Sequence, residues 1–107
     1  MNRDRALLDL AHGLHDCTNC GRYVVEGLEP AHENSIEAGK GFGIKGQDHR
    51  HAGLCHDCHA WLDQGKGVDP SGCYDGTKPD KCDMWNRAHK RTFDLYWQLG
   101  WIQVTRR

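Results

Sequence analysis

Four cysteines stand in two pairs, Cys17 with Cys20 and Cys55 with Cys58, and two residues separate the members of each pair. Paired cysteines at this spacing can aim four thiolates at one ion, and a closed tetrahedral set of sulfurs is the structural kind of zinc site. Gly21 follows the first pair, as a tight knuckle turn requires. Two disulfides, or simply free thiols, are the competing fates of these residues. Directly after the second pair come His59 and Asp63. On a helix, residues four apart share a face. An imidazole nitrogen beside a carboxylate oxygen can then hold a divalent ion with positions left open for water and substrate. The competing reading is an ordinary pair on a helix surface. Cys73 and Cys82 are left over. A disulfide, a weak metal site and plain buried thiols are all open to them, and a reducing compartment favours the last two.

The elements that must position these groups follow from periodicity and punctuation. Leu7, Leu10, Ala11 and Leu14 repeat at helical spacing and predict a short amphipathic helix over Arg3 to His12, ended by Gly13 with Leu14 folding back. The β-rich run from Arg22 to Leu28 predicts a strand, with Pro30 and His32 at its end or across a hairpin. Four glycines between Gly39 and Gly46 predict a loop. The second cysteine pair opens a helix carrying His59, Trp61, Leu62 and Asp63, which Gly65 and Gly67 end. Residues 64–82 read as a surface excursion. Asp83 caps a last helix running to Leu99, with Gly100 as its stop and Trp85, Ala88, Thr92, Leu95, Tyr96 and Leu99 as its apolar stripe. Trp101 to Val104 read as a closing strand.

Composition bounds the rest. A chain of 107 residues suits one domain, residues 1–107, so there is no room for a second. At that size only about 65% of the unfolded surface is buried. Six cysteines and eight histidines in so short a chain therefore point to a metal-stapled fold. The formal charge is −1, which leaves any nucleic-acid binding to local patches. No apolar run reaches the roughly 20 residues that span a bilayer. Charges break the residues from Met1 to Asp9, unlike a signal peptide, so a cytoplasmic protein is expected.

Taken together, these residues resemble the HNH, or ββα-metal, nuclease superfamily. The run Leu54-Cys55-His56-Asp57-Cys58-His59 is similar to its L-C-x-x-C-H signature. The chain resembles more narrowly the small prophage-encoded nucleases of the YbcO type. Their pattern stands here as Ala31-His32, Gly39-Lys40-Gly41, Lys45, Asp48, Cys55 to His59 and Asp63, with a similar tail at Arg91-Thr92, Trp97, Gly100 and Ile102. The resemblance implies an α+β fold, with a small zinc-stabilised ββα-metal, treble-clef-like core flanked by N- and C-terminal helices. It implies a divalent-metal-dependent DNA endonuclease of phage or prophage origin acting in the host cytoplasm. Structural Zn²⁺ and catalytic Mg²⁺ or Mn²⁺ come with it. His32 falls at the position of the general base, and His59 and Asp63 fall at the metal positions. Asp48 falls near the residue that holds the loop and orients the base. Many members carry an acidic residue or histidine just before the base as a third ligand. This chain carries Ala31.

Lys40, Lys45 and Arg50 in or beside the glycine loop, and Arg87, Lys90 and Arg91 on the last helix, are the candidate phosphate contacts. Solvated charged faces are their ordinary alternative. No base-reading element is evident, which points to recognition of DNA structure or backbone. Against the nuclease stands a non-catalytic zinc-binding module that binds nucleic acid or a recombination protein. That module needs the four cysteines and is indifferent to His32, His59 and Asp63. A thiol redox protein is the least favoured reading, because its usual βαβ context is missing.

Overall fold

The computed structural model describes residues 5–32 and 50–102. Their order is helix α1 (Arg5–Asp9), a 3₁₀ turn (Leu10–Gly13), strands β1 (Glu29–His32) and β2 (His51–Leu54), then helices α2 (His56–Gln64) and α3 (Lys78–Gln98). This is a small α+β arrangement around one two-stranded antiparallel sheet. The register sets Glu29 opposite Leu54 and His32 opposite His51. The Gly39–Gly46 loop, Lys40, Lys45 and Asp48 lie outside the described residues. Among those described, no helix is long and apolar enough to cross a membrane.

Three elements depart from the sequence expectation. The strand lies at Glu29–His32 rather than Arg22–Leu28, where there is only an isolated bridge between Tyr23 and Asp16. Tyr23 and Val25 are 62% and 73% exposed, while Val24 and Leu28 pack inward without a ladder forming along the run. Its end is a turn in which the Gly27 N–H donates to the Val24 carbonyl. Gly27 has φ +93°, and a Cβ there would strike the His12 backbone, so only glycine fits. The last helix starts at Lys78, before Asp83. Thr77 caps it by accepting from the Asp80 N–H, and Pro79 sits in the first turn, where proline costs no hydrogen bond. The amphipathic N-terminal run is split, with an α-helix to Asp9 and a 3₁₀ turn to Gly13.

The end of α3 agrees with the sequence. The Gly100 N–H donates to the Trp97 carbonyl and the Trp101 N–H donates to the Tyr96 carbonyl, with Gly100 at φ +74°. This is a Schellman closure, which satisfies the last carbonyls of the helix. Trp101 and Ile102 are not strand residues, and the remainder of the expected closing strand lies outside the described residues.

The core lies between the sheet and the helices. Leu14, Leu28, Leu54, Trp61, Leu62, Met84, Trp85, Ala88 and Tyr96 are buried in it together with Cys17, Cys55 and Cys58. All four residues of β2 are buried. The strand also bonds outward, as a buried sheet edge must. The Gly53 N–H donates to Thr92 Oγ1 (2.9 Å), the Gly53 carbonyl accepts from Thr18 Oγ1 (2.7 Å), and the His51 carbonyl accepts from His89 Nδ1 (2.8 Å). Thr92 itself donates to the Ala88 carbonyl and is fully buried. Thr92→Val keeps the shape but strands the Gly53 N–H. It is expected to cost about 1–3 kcal/mol, read as a lower urea midpoint with unchanged slope on zinc-loaded protein.

Candidate metal centre

Cys17 and Cys20 flank a knuckle closed by the Gly21 N–H donating to the Cys17 carbonyl. Cys55 is the N-cap of α2, its Sγ accepting from the Cys58 N–H, so the helix starts at the thiol pair. One ligand atom from each of the four cysteines lies within 4.8 Å of the other three. Zinc–sulfur bonds of about 2.3 Å in a tetrahedron put sulfurs about 3.8 Å apart. The Cys20 and Cys55 sulfurs are 3.7 Å apart. The cluster is thus the right size for one metal ion such as zinc, and all four cysteines are free of disulfides.

The donor set is also poised electronically. The Cys58 thiol donates to the Cys17 sulfur and, against the opposing push of burial, holds Cys17 down at about 4. Backbone N–H groups of Asn19 and Cys55 point at the same sulfur, at 3.4 and 3.3 Å. Burial pushes Cys55 up to about 11, and the charge on Cys17 adds to it. Cys58 is raised by its bond to Cys17 and by burial. The Asn19 side chain donates to the Cys58 sulfur at 3.3 Å. Outside the cluster, Cys73 is exposed and Cys82 half-buried; both are free, so the expected burial fails for Cys73.

Helix α2 carries the second group. His59 Nε2 and Asp63 Oδ2 are 3.6 Å apart on one face, at the expected i, i+4 spacing. They line an open cleft of about 320 Å³ with Glu29, His56, Ala60 and Gln64. Glu29 reaches this helix from β1. Its carboxylate accepts from His59 Nδ1 at 2.8 Å and from His56 Nδ1 at 3.2 Å. Burial alone would raise the Glu29 carboxyl, but the two histidines outweigh it and hold the group below its usual range. Sequence spacing singles out neither Glu29 nor His56. The one available signal is that His56 and His59 stand three apart on the same helix face.

His32 is half-buried at the far end of β1 and does not line that cleft. Strand rise puts it about 10 Å along from Glu29, and pleating sends the two side chains to opposite sides. The structure therefore brings His59 and Asp63 together, and His32 is not among the residues lining their cleft. Among the candidate phosphate contacts, Arg87 and Arg91 line one depression on α3. The Arg50 guanidinium lies 5.8 Å over the Trp85 ring. Arg87 donates to the Tyr74 hydroxyl, Arg91 to the Thr18 carbonyl and Lys90 to Asp94.

No protein-family model, curated protein or solved structure matches this chain.

Proposed function

We propose that this protein is a zinc-stabilised, divalent-metal-dependent DNA endonuclease of the ββα-metal type, serving phage or prophage DNA processing or recombination. The observation that carries the reading is the pairing of His59 Nε2 with Asp63 Oδ2 at 3.6 Å on a helix that begins in the cysteine cluster. The order of an antiparallel hairpin followed by that helix supports the fold assignment. In this reading Cys17, Cys20, Cys55 and Cys58 hold zinc and fix the start of α2. His59 and Asp63 hold Mg²⁺ or Mn²⁺. The divalent ion, when bound, supplies positive charge to the phosphodiester oxygens and the leaving group. His32 accepts a proton from the attacking water as the water oxygen bonds to phosphorus, and a P–O bond to the leaving oxygen breaks. Asp48 has the role of orienting the base. Exposed Arg50, Arg87, Lys90 and Arg91, with Lys40 and Lys45, meet phosphates, so affinity falls steeply with salt.

A second reading draws on one observation, that His32 is not among the residues lining the cleft. It is a non-catalytic zinc module that binds nucleic acid or a recombination protein. The discriminating experiment is a nicking assay with zinc-loaded protein on supercoiled plasmid, single-stranded and branched DNA, with and without Mg²⁺ or Mn²⁺. Nicking that needs the added ion is the expected result. Tight binding of these DNAs with no cleavage under any ion favours the module.

A further inference from the structure

His59 is held from both sides of its ring, and the two contacts differ in kind. At Nδ1 the distance to the Glu29 carboxylate is 2.8 Å, a full hydrogen bond. A carboxylate only accepts, so the ring hydrogen sits on Nδ1. At Nε2 the distance to the Asp63 carboxylate is 3.6 Å, past hydrogen-bond length. Ligand atoms on one ion, each about 2.0–2.2 Å from it, lie roughly 3–3.5 Å apart. Nε2 and Asp63 are therefore spaced within a few tenths of an ångström of a shared cation.

Glu29 does not share that cation. The two nitrogens of an imidazole diverge, so a group bonded to Nδ1 lies off the opposite ring edge from an ion on Nε2. Nor is Glu29 free to swing, because its second oxygen is engaged by His56 at 3.2 Å. His56 and His59 together clamp one carboxylate across the gap between β1 and α2. A carboxylate on the far nitrogen fixes both the tautomer and the ring plane of a ligating histidine.

We propose that Glu29 is the positioning residue of the divalent-ion site, holding His59 through Nδ1 so that Nε2 and Asp63 bind the ion together. This rests on the reading of His59 and Asp63 as the ion's ligands.

The test is Mn²⁺ binding to zinc-loaded protein, followed by electron paramagnetic resonance of the free ion, for the parent, His59→Ala, Glu29→Ala and Glu29→Gln. In parallel, ring ¹⁵N shifts of His59 in the Mn²⁺-free state report which nitrogen carries the hydrogen. The expected parent binds Mn²⁺ with the hydrogen on Nδ1, and His59→Ala binds it far more weakly. Glu29→Ala weakens binding about 10–100-fold and lets the hydrogen distribute over both nitrogens. Glu29→Gln retains an acceptor oxygen and the same size, so it keeps the Nδ1–H form and recovers part of the affinity. That variant carries the test if Glu29→Ala does not fold, because a Glu29→Gln chain that loses the Nδ1–H form yet binds as tightly as the parent overturns the role of Glu29, whereas affinity that follows the Nδ1–H form supports it. If the parent binds Mn²⁺ and Glu29→Ala matches it in affinity and tautomer, the role of Glu29 is overturned and the ligand reading stands. A parent that binds no Mn²⁺ overturns both.

Discussion

A His32→Ala chain, loaded with zinc and given Mg²⁺ or Mn²⁺, is expected to nick plasmid DNA about 10²–10⁴-fold more slowly than the parent, the usual contribution of a general base. His32 is half-buried at the end of β1, beside the Ala31 carbonyl that anchors Trp85 (2.9 Å). The variant's melting transition is followed alongside its activity, so that a folding defect is told apart from a lost base. The ion separates this defect from the loss of a metal ligand. His59→Ala lowers occupancy of the site, so excess Mn²⁺ restores part of its rate. His32→Ala removes the proton acceptor, so no concentration of Mn²⁺ restores it. The pair of variants also addresses geometry. His32 lies about 10 Å along β1 from Glu29, so a substrate phosphate has to bridge the strand end and the cleft. Parent-level nicking by His32→Ala puts the base elsewhere and removes His32 from the mechanism.

What could be read from the sequence was what short-range spacing dictates. Helix α2, its stop at Gly65 and the shared face of His59 and Asp63 follow from residues within one or two turns of each other. The gathering of the cysteines was legible although the pairs are distant, because one ion supplies a common target for four similar side chains. β-propensity at Arg22–Leu28 misleads because the run pairs only through the single Asp16–Tyr23 bridge and then turns at Gly27, although Val24 and Leu28 pack inward. Glu29–His32 has a proline and little β-branching, and becomes a strand because the fully buried β2 needs a partner. The start of α3 was missed because Pro79 reads as a breaker until it is placed in the first turn. Glu29 was the least legible. Its partners His56 and His59 are 27 and 30 residues away. Only the pairing of β1 with β2, and the direction in which the Cys55 cap launches α2, bring them together.

Removing zinc is expected to unfold the chain. Structural zinc contributes roughly 10–16 kcal/mol in zinc-finger peptides, as much as the whole stability of an ordinary small domain, about 5–15 kcal/mol. Here the cluster joins the N-terminal knuckle, which carries Cys17 and Cys20, to the start of α2, which carries Cys55 and Cys58. Apart from bonds to the sulfurs themselves, the knuckle and α2 are tied by an exposed Arg22–Asp57 ion pair, worth about 0–1 kcal/mol. Treatment with a strong chelator should abolish the cooperative thermal transition followed by circular dichroism, and added Zn²⁺ should restore it at one ion per chain. Unfolding by reductant but not by chelator would instead identify disulfides. Protons report the same event independently. A free thiol titrates at about 8.5, so in the unfolded, metal-free chain most of the four sulfurs hold protons at pH 7. Four thiolates are needed for the ion, so loading zinc near pH 7 releases most of those protons, and the affinity weakens as pH falls because protons compete for the sulfurs. Cys55→Ala should be the most damaging single change, since it removes both a member of the cluster and the cap of α2, whereas Cys55→Ser keeps a capping oxygen. Because His59 stands one turn beyond that cap, a chain stripped of zinc should lose the Mn²⁺ site along with the fold, whereas a chain stripped only of Mn²⁺ should keep its melting transition.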